Sequence, residues 1–135
     1  MNKILVGFDG SEGSKQALNR SISLIDENGE LFLLAVIPIP SDKTFVDNEM
    51  SKKIENKAKK MIDEIVHDFS QQGFTITGII EKGDPSVRII ETSNRLNVDL
   101  IVLGSKGTSK IGYYLLGSVA NKVVQYAHKP VMVVR

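Results

Sequence analysis

The chain has 135 residues, of which 41% are hydrophobic and 24% charged, and it contains no cysteine. This length and composition predict a single soluble globular domain spanning residues 1–135. The net charge of +1 does not indicate electrostatic binding to nucleic acid or to a membrane surface. The lack of cysteine excludes disulfides, thiol catalysis and cysteine-ligated metals.

The first half of the chain alternates short apolar strands with amphipathic helices. Residues 3–8 predict a strand that ends at 9–11, and a helix follows from about residue 12 to Glu27. A second strand covers residues 31–37, and the prolines within 38–40 prevent either element from continuing. The second helix has the clearest helical periodicity in the chain. Its apolar positions, which we expect to face the core, are Met50, Ile54, Ala58, Met61, Ile62, Ile65, Val66 and Phe69.

The second half continues the same alternation. The predicted elements are a strand at 74–81, a helix at 85–97, a strand at 100–103, a helix beginning at 117–118 and a strand at 131–134. Asp84 is the expected N-cap of the third helix, with Pro85 at its first position. The fourth helix has an apolar face made of Val119, Ala120, Val123, Val124 and Ala127. No apolar run approaches the roughly 18 residues of a membrane-spanning helix, and the N-terminus does not resemble a signal peptide, so we expect a cytoplasmic protein.

Alternating strands and helices predict an α/β fold, in which a parallel sheet has helices on both faces. For five strands the predicted order is 3-2-1-4-5, which places the first strand beside the fourth. The exits of these two strands, residues 7–11 and 104–107, are the most glycine-rich and polar strand exits in the chain. In doubly wound folds, ligands bind in the crevice between such exits.

The strongest candidate site is the strand-to-helix junction within residues 98–119. Gly104 ends the apolar strand, Gly107 follows it, and Gly117-Ser118 begins the next helix. A helix N-terminus attracts anions, and glycines let an anion approach the backbone closely. We interpret the junction as a phosphate cradle, although it contains neither a Walker A string nor the dinucleotide fingerprint Gly-x-Gly-x-x-Gly.

Asp9, at the exit of the first strand, has two open interpretations. Its carboxylate could accept hydrogen bonds from ribose hydroxyls or lie near a nucleotide-bound Mg²⁺. It could instead cap the first helix, a role that Ser11 could equally fill. His67 and His128 both lie away from the predicted crevice, and no nucleophile elbow or His-Glu-x-x-His motif occurs. The sequence therefore favours binding over turnover.

Residues 104–118 contain the spacing Gly-x2-Gly-x9-Gly-Ser, and together with 4–11 and 129–135 this spacing resembles the universal stress protein family. The resemblance covers essentially the whole chain. In that family the glycine spacing marks the members that bind ATP. The resemblance therefore implies a Rossmann-like sheet of the adenine-nucleotide-binding type, with ATP as cofactor and Mg²⁺ or Mn²⁺ carried by its phosphates.

The resemblance also implies roles for individual residues. The motif glycines and Ser118 would hold ribose and phosphates, Val36 would meet adenine through its backbone, and Lys106 would keep a positive charge near the phosphates. Asp9 matches an aspartate of the family at the first strand exit. The complete predicted binding set is Gly7, Asp9, Val36, Gly104, Lys106, Gly107, Gly117, Ser118 and Val119.

The function implied by the resemblance is a cytoplasmic, ATP-binding regulator of a stress response that is not primarily an enzyme. Members are typically homodimers that pair through the last strand, here Val131–Val134, and an exposed apolar edge strand also needs a partner. A slow ATPase or autophosphorylating enzyme is an alternative, with acceptors among Ser105, Thr108, Ser109 and Ser118. A nucleotide-free dimeric interaction module is another, and a preference for cyclic AMP stays open. A two-component receiver would require an acidic cluster after the first strand and a phosphorylatable aspartate at the end of the third. This sequence supplies neither.

Overall fold

Strands and helices alternate regularly along the chain in the computed structural model, which describes residues 1–39, 48–105 and 117–135. The strands are β1 (Lys3–Gly7), β2 (Glu30–Ile37), β3 (Thr75–Lys82), β4 (Leu100–Gly104) and β5 (Val131–Val134). The helices are α1 (Glu12–Leu24), α2 (Asn48–Asp68), α3 (Pro85–Leu96) and α4 (Ser118–Tyr126). In these three ranges, no helix has the length and apolar character needed to cross a membrane.

The five strands form one parallel sheet in the order β3-β2-β1-β4-β5, which confirms the predicted topology. The register sets Val6 of β1 beside Val102 of β4, and both residues are fully buried. Strands covered on both faces need apolar residues at every position rather than at alternate positions. This requirement explains the continuous apolar runs that made β1 and β4 recognisable in the sequence.

Helices cover both faces of the sheet and create two layers of core. On one face, Ile4 and Val6 pack in a cluster with residues of α1 and with Ile62 of α2. On the other face, Leu5 packs in a cluster with residues of α3 and α4, among them Ile89 and Val123. Because successive side chains of β1 point to opposite faces, this central strand anchors both layers.

The end of α1 differs from the prediction, because the helix stops at Leu24 rather than at Glu27. Ile25 leaves the helical region with φ −71° and ψ 138°. The backbone N–H of Asp26 donates to the carbonyl of Met1 at 2.9 Å, which fixes this segment beside the start of β1. The long-range bond replaces the hydrogen bond that a further helical turn would have made.

Part of the apolar stripe predicted for α2 is exposed, since Met50 and Ile54 keep 57% and 48% of their surface accessible. Glu55 forms an ion pair of 2.9 Å with Lys82, the last residue of β3. The turns of α2 before Glu55 therefore extend past the carboxyl end of that strand. Met50 and Ile54 project from this extension, so the prediction that they face the core is wrong.

The buried face of α4 is narrower than predicted. Ala120 and Val123 are 3% and 0% exposed, whereas Val124 is 47% exposed. Successive residues of a helix are about 100° apart around its axis, so Val124 lies on the flank beside Val123 and points away from the core. The assignment of Val124 to the buried face is wrong.

Candidate functional site

A cavity of about 260 Å³ lies at the carboxyl edge of the sheet, where β1 and β4 are neighbours. This volume is close to the lower end of the range for small-molecule sites, about 300–1,000 Å³. The predicted site residues that the structure describes all line this cavity; they are Gly7, Asp9, Val36, Gly104, Gly117, Ser118 and Val119. Lys106 and Gly107 lie outside the described residues. His67 and His128 are not among the lining residues.

Three helix N-termini, those of α1, α3 and α4, border the cavity, and they differ in how they are capped. Ser11 caps α1, because its Oγ accepts a hydrogen bond from the N–H of Ser14 at 3.3 Å. Asp84 caps α3 as predicted, accepting from the N–H of Val87 at 3.1 Å. At α4 the cap is Gly117, which has no side chain that could accept a hydrogen bond. Among residues 1–39, 48–105 and 117–135, no side chain accepts from the first N–H groups of α4, and the helix dipole there favours negative charge.

The cap of α3 also determines the ionisation of Asp84. The Ser86 hydroxyl donates to Oδ1 of Asp84 at 2.6 Å. This hydrogen bond, the bond from the Val87 N–H and the nearby charge of Lys122 lower the pKa of Asp84 below its usual value. The carboxylate is engaged by its own helix, so it belongs to the scaffold of the site.

Asp9 contributes a carboxylate to the cavity rather than a helix cap. Its Oδ1 accepts a hydrogen bond from the N–H of Ser11 at 2.9 Å, and its own N–H donates to Oγ of Ser14 at 3.3 Å. Since Ser11 supplies the cap of α1, the capping interpretation of Asp9 is wrong. The Asp9 side chain is exposed and lines the cavity, which is the position that contact with ligand hydroxyls requires.

Two of the predicted binding glycines are also needed for packing. A Cβ atom at Gly104 would lie 2.4 Å from the carbonyl carbon of Gly13 and 2.5 Å from its oxygen. A Cβ atom at Gly7 would lie 2.6 Å from Cδ2 of Leu103. The missing side chain at Gly104 therefore lets the first turn of α1 approach the end of β4, which brings two walls of the cavity together.

Val36 directs its backbone toward the cavity. The pairing of β1 with β2 ends at Gly7 and Leu34, and the N–H of Phe8 donates to the carbonyl of Leu34 at 2.8 Å. In a parallel ladder, residues two apart turn their N–H and C=O groups to the same neighbouring strand. The backbone N–H and C=O of Val36 therefore point to the side on which β1 lies. Because β1 has already ended at this level, they face the cavity.

Ser105 supplies a hydroxyl that needs a partner. Its Oγ is buried and has no hydrogen-bond partner within the described ranges, although its N–H donates to the carbonyl of Val134 at 2.9 Å. Buried polar groups in native proteins are nearly always hydrogen-bonded, and an unpaired one is costly. A polar ligand atom in the cavity would satisfy this hydroxyl.

About half of the lining residues are absent from the predicted binding set. The missed residues are Phe8, Ser11, Gly13, Ser14, Leu34, Pro38, Pro85, Ile89, Leu103 and Ala120. Many of them directly follow a predicted strand or begin a predicted helix. Their position at strand exits and helix starts could have indicated that they line the cavity. The apolar wall formed around Ile89 and Pro38 depends on tertiary packing, which local sequence does not reveal.

Comparison with known proteins agrees with this fold. Residues 1–135 match the sequence model of the Universal stress protein family. Universal stress protein YxiE of Bacillus subtilis is 31% identical, over 99% of both chains. The solved structure of MJ0577 from Methanocaldococcus jannaschii has a TM-score of 0.86 at 32% identity and covers 98% of this chain and 94% of that one. A universal stress protein solved in complex with cAMP has a TM-score of 0.75 at 25% identity, covering 99% and 97%. The chain belongs to the universal stress protein family.

Proposed function

We propose that this protein binds ATP in the cavity, with Mg²⁺ or Mn²⁺ carried by the phosphates, and acts as a nucleotide-dependent regulator in a stress response. One observation carries the proposal. The uncapped N-terminus of α4, the Asp9 carboxylate and the Val36 backbone come from distant parts of the chain and line the same cavity. The family member solved with cAMP supports an adenine nucleotide as the class of ligand.

Each part of the nucleotide has a matching group in the cavity. Adenine offers an N6 donor and ring-nitrogen acceptors, which suit the C=O and N–H of Val36. The ribose hydroxyls suit the Asp9 carboxylate, which accepts hydrogen bonds. The phosphates suit the N-terminus of α4 at Gly117 and Ser118, because glycine leaves the backbone N–H groups accessible.

A homodimer that pairs through β5 is the second part of the proposal. β5 is the last strand at one edge of the sheet, and its four residues are only partly buried. An edge strand made of apolar residues tends to pair with another strand. The cytoplasmic location stays a prediction from the sequence.

Gly117→Val tests the phosphate end of the site. The backbone at Gly117 has φ −62° and ψ 158°, which any residue adopts, so the variant should fold. The valine side chain would obstruct the approach of phosphate to α4, and we expect binding of Mg-ATP to be lost in a calorimetric titration. Asn121→Ala, an exposed position of α4 outside the cavity lining, is the matched control. A folded Gly117→Val protein with wild-type affinity would contradict the proposed site.

The same samples separate the alternative functions. Release of inorganic phosphate from ATP that stops in Gly117→Val would favour the slow ATPase, and phosphate transfer to the protein would favour autophosphorylation. A wild-type protein that neither retains nucleotide nor binds added Mg-ATP would favour a nucleotide-free dimeric interaction module.

A further inference from the structure

Five charged side chains on one side of α2 are segregated along the helix. Lys53, Lys57 and Lys60 occupy its first part, and Glu64 and Asp68 occupy its last part. At about 100° per residue, these five positions fall within an arc of about 80° around the axis. All five side chains are exposed. We call this arc the charged flank of α2.

The charged flank is poorly arranged for an isolated helix. Lys53 and Lys57 are four residues apart, as are Glu64 and Asp68, and like charges at this spacing destabilise a helix. No residue of the flank forms an ion pair with any residue of the described ranges. Lys60 and Glu64 carry opposite charges four residues apart at the middle of the flank, whereas no ion pair of the described ranges compensates the like-charge pairs at its two ends.

We propose that the charged flank packs antiparallel against the same flank of a second copy of this chain. A two-fold axis passing between Lys60 and Met61 sets Lys53 opposite Asp68 of the second copy, and the same axis sets Lys57 opposite Glu64. Both pairs are symmetric about one midpoint, so a single rotation creates both, and two-fold symmetry makes each of them twice. The axis also brings Lys60 of the two copies near each other, a like-charge contact that the four ion pairs must outweigh. A separate acidic partner would match the lysines but would face repulsion from Glu64 and Asp68.

Two exposed apolar side chains border the flank and fit the same arrangement. Met50 and Ile54 lie on adjacent positions of the helix surface, at the end of α2 that extends past β3. At about 100° per residue, Ile54 lies on the same side of the flank as Asp68, so the axis sets it beside the pair that Lys53 forms with Asp68 of the second copy. Burial of these side chains adds a nonpolar contribution to the contact.

The proposed contact is separate from β5. α2 forms an ion pair with β3, and β3 and β5 occupy opposite edges of the sheet. A protein that also pairs through β5 would therefore use two different two-fold contacts and form a larger assembly. A contact between two single helices buries a small area, so we expect weak association.

Exchange of the charges tests the register directly. Lys53→Glu with Lys57→Glu makes the flank mainly acidic, whereas Glu64→Lys with Asp68→Lys makes it basic. Each double variant repels its own copies, but an equimolar mixture of the two restores opposite charges at every proposed pair. We expect sedimentation equilibrium between about 10 µM and about 1 mM protein to show loss of the α2-dependent association in each double variant. We expect the mixture to recover it, with roughly twice the particle mass of either variant alone.

Salt and a matched control complete the test. Raising NaCl from about 0.05 M to about 1 M shortens the screening length to about 3 Å, and we expect the wild-type dissociation constant to rise at least about tenfold. Lys15→Glu with Arg20→Glu makes the same change of charge on exposed positions of α1 and should leave association unchanged. Circular dichroism verifies that every variant is folded, and association through β5 sets the same baseline mass for all of them. Double variants that associate like wild type, or a mixture no heavier than its components, would overturn the proposal, and neither result depends on nucleotide binding.

Discussion

The close approach of Gly104 to Gly13 makes Gly104→Ala a sensitive test of how the cavity is built. The new methyl carbon would lie 2.4 Å, 2.5 Å and 3.0 Å from the carbonyl carbon, oxygen and Cα of Gly13. Optimal separations between nonbonded carbon atoms are about 3.5–4.0 Å, so the first turn of α1 must move by about 1 Å. All three contacts are with backbone atoms, which no side-chain rotation can relieve.

The magnitude follows from the overpacking that this displacement requires. We expect the free energy of unfolding of Gly104→Ala to fall by about 1–3 kcal/mol. For a domain of this size, each kcal/mol corresponds to roughly 3–5 °C in Tm. Urea unfolding should give a lower midpoint with an unchanged slope, since the native and unfolded surfaces stay similar. Mg-ATP affinity should fall as well, because Ser11 and Ser14 of the displaced turn line the cavity.

Gly7→Ala is the matched control for this prediction, because Gly7 lines the same cavity. Its new methyl carbon would meet Cδ2 of Leu103 at 2.6 Å. That atom is the end of a side chain that can adopt another rotamer, so we expect a smaller loss of stability than in Gly104→Ala. Equal stability of Gly104→Ala and wild type, or a larger loss in Gly7→Ala, would refute the reasoning from backbone contact.

Two further predictions concern the helix caps beside the cavity. Ser11→Ala removes the side-chain cap of α1 and should reduce the free energy of unfolding by about 1 kcal/mol, whereas Ser11→Asp should retain most of it; urea midpoints that do not separate the two variants would contradict this. The lowered pKa of Asp84 means that its contribution to stability is complete above the pKa of the unfolded chain and is lost as pH falls through the folded pKa. Asp84→Asn should therefore reduce the acid sensitivity of unfolding, measured by urea midpoints between about pH 2 and about pH 6, and an unchanged pH profile would assign that sensitivity to other groups.

The parallel sheet could be predicted from the sequence, and the order of its strands then followed from the common topology of doubly wound folds. The apolar runs of β1 and β4 show no alternation, which is the pattern of strands buried on both faces. The end of α1 could not be predicted, because it depends on a bond from Asp26 to Met1, which is distant in sequence. The exposure of Met50 has a similar origin, since a periodic pattern does not reveal where the strands beneath a helix end.

The candidate site was predictable at the strand exits and helix starts, where glycine and polar residues interrupt apolar runs. Asp9 and Gly117 were identified in this way, and both line the cavity. The contact between Gly13 and Gly104 was not predictable, because it joins segments far apart in the chain and only the folded sheet brings them together. The burial of the Ser105 hydroxyl, which has no hydrogen-bond partner within residues 1–39, 48–105 and 117–135, likewise depends on the fold and not on local sequence.

The most direct test of nucleotide binding is to denature freshly purified protein and to identify any released nucleotide by chromatography. The proposed function predicts ATP or ADP in near-stoichiometric amount, or, if the nucleotide is lost during purification, binding of added Mg-ATP by calorimetry. A folded protein that releases no nucleotide and does not bind added Mg-ATP would contradict it.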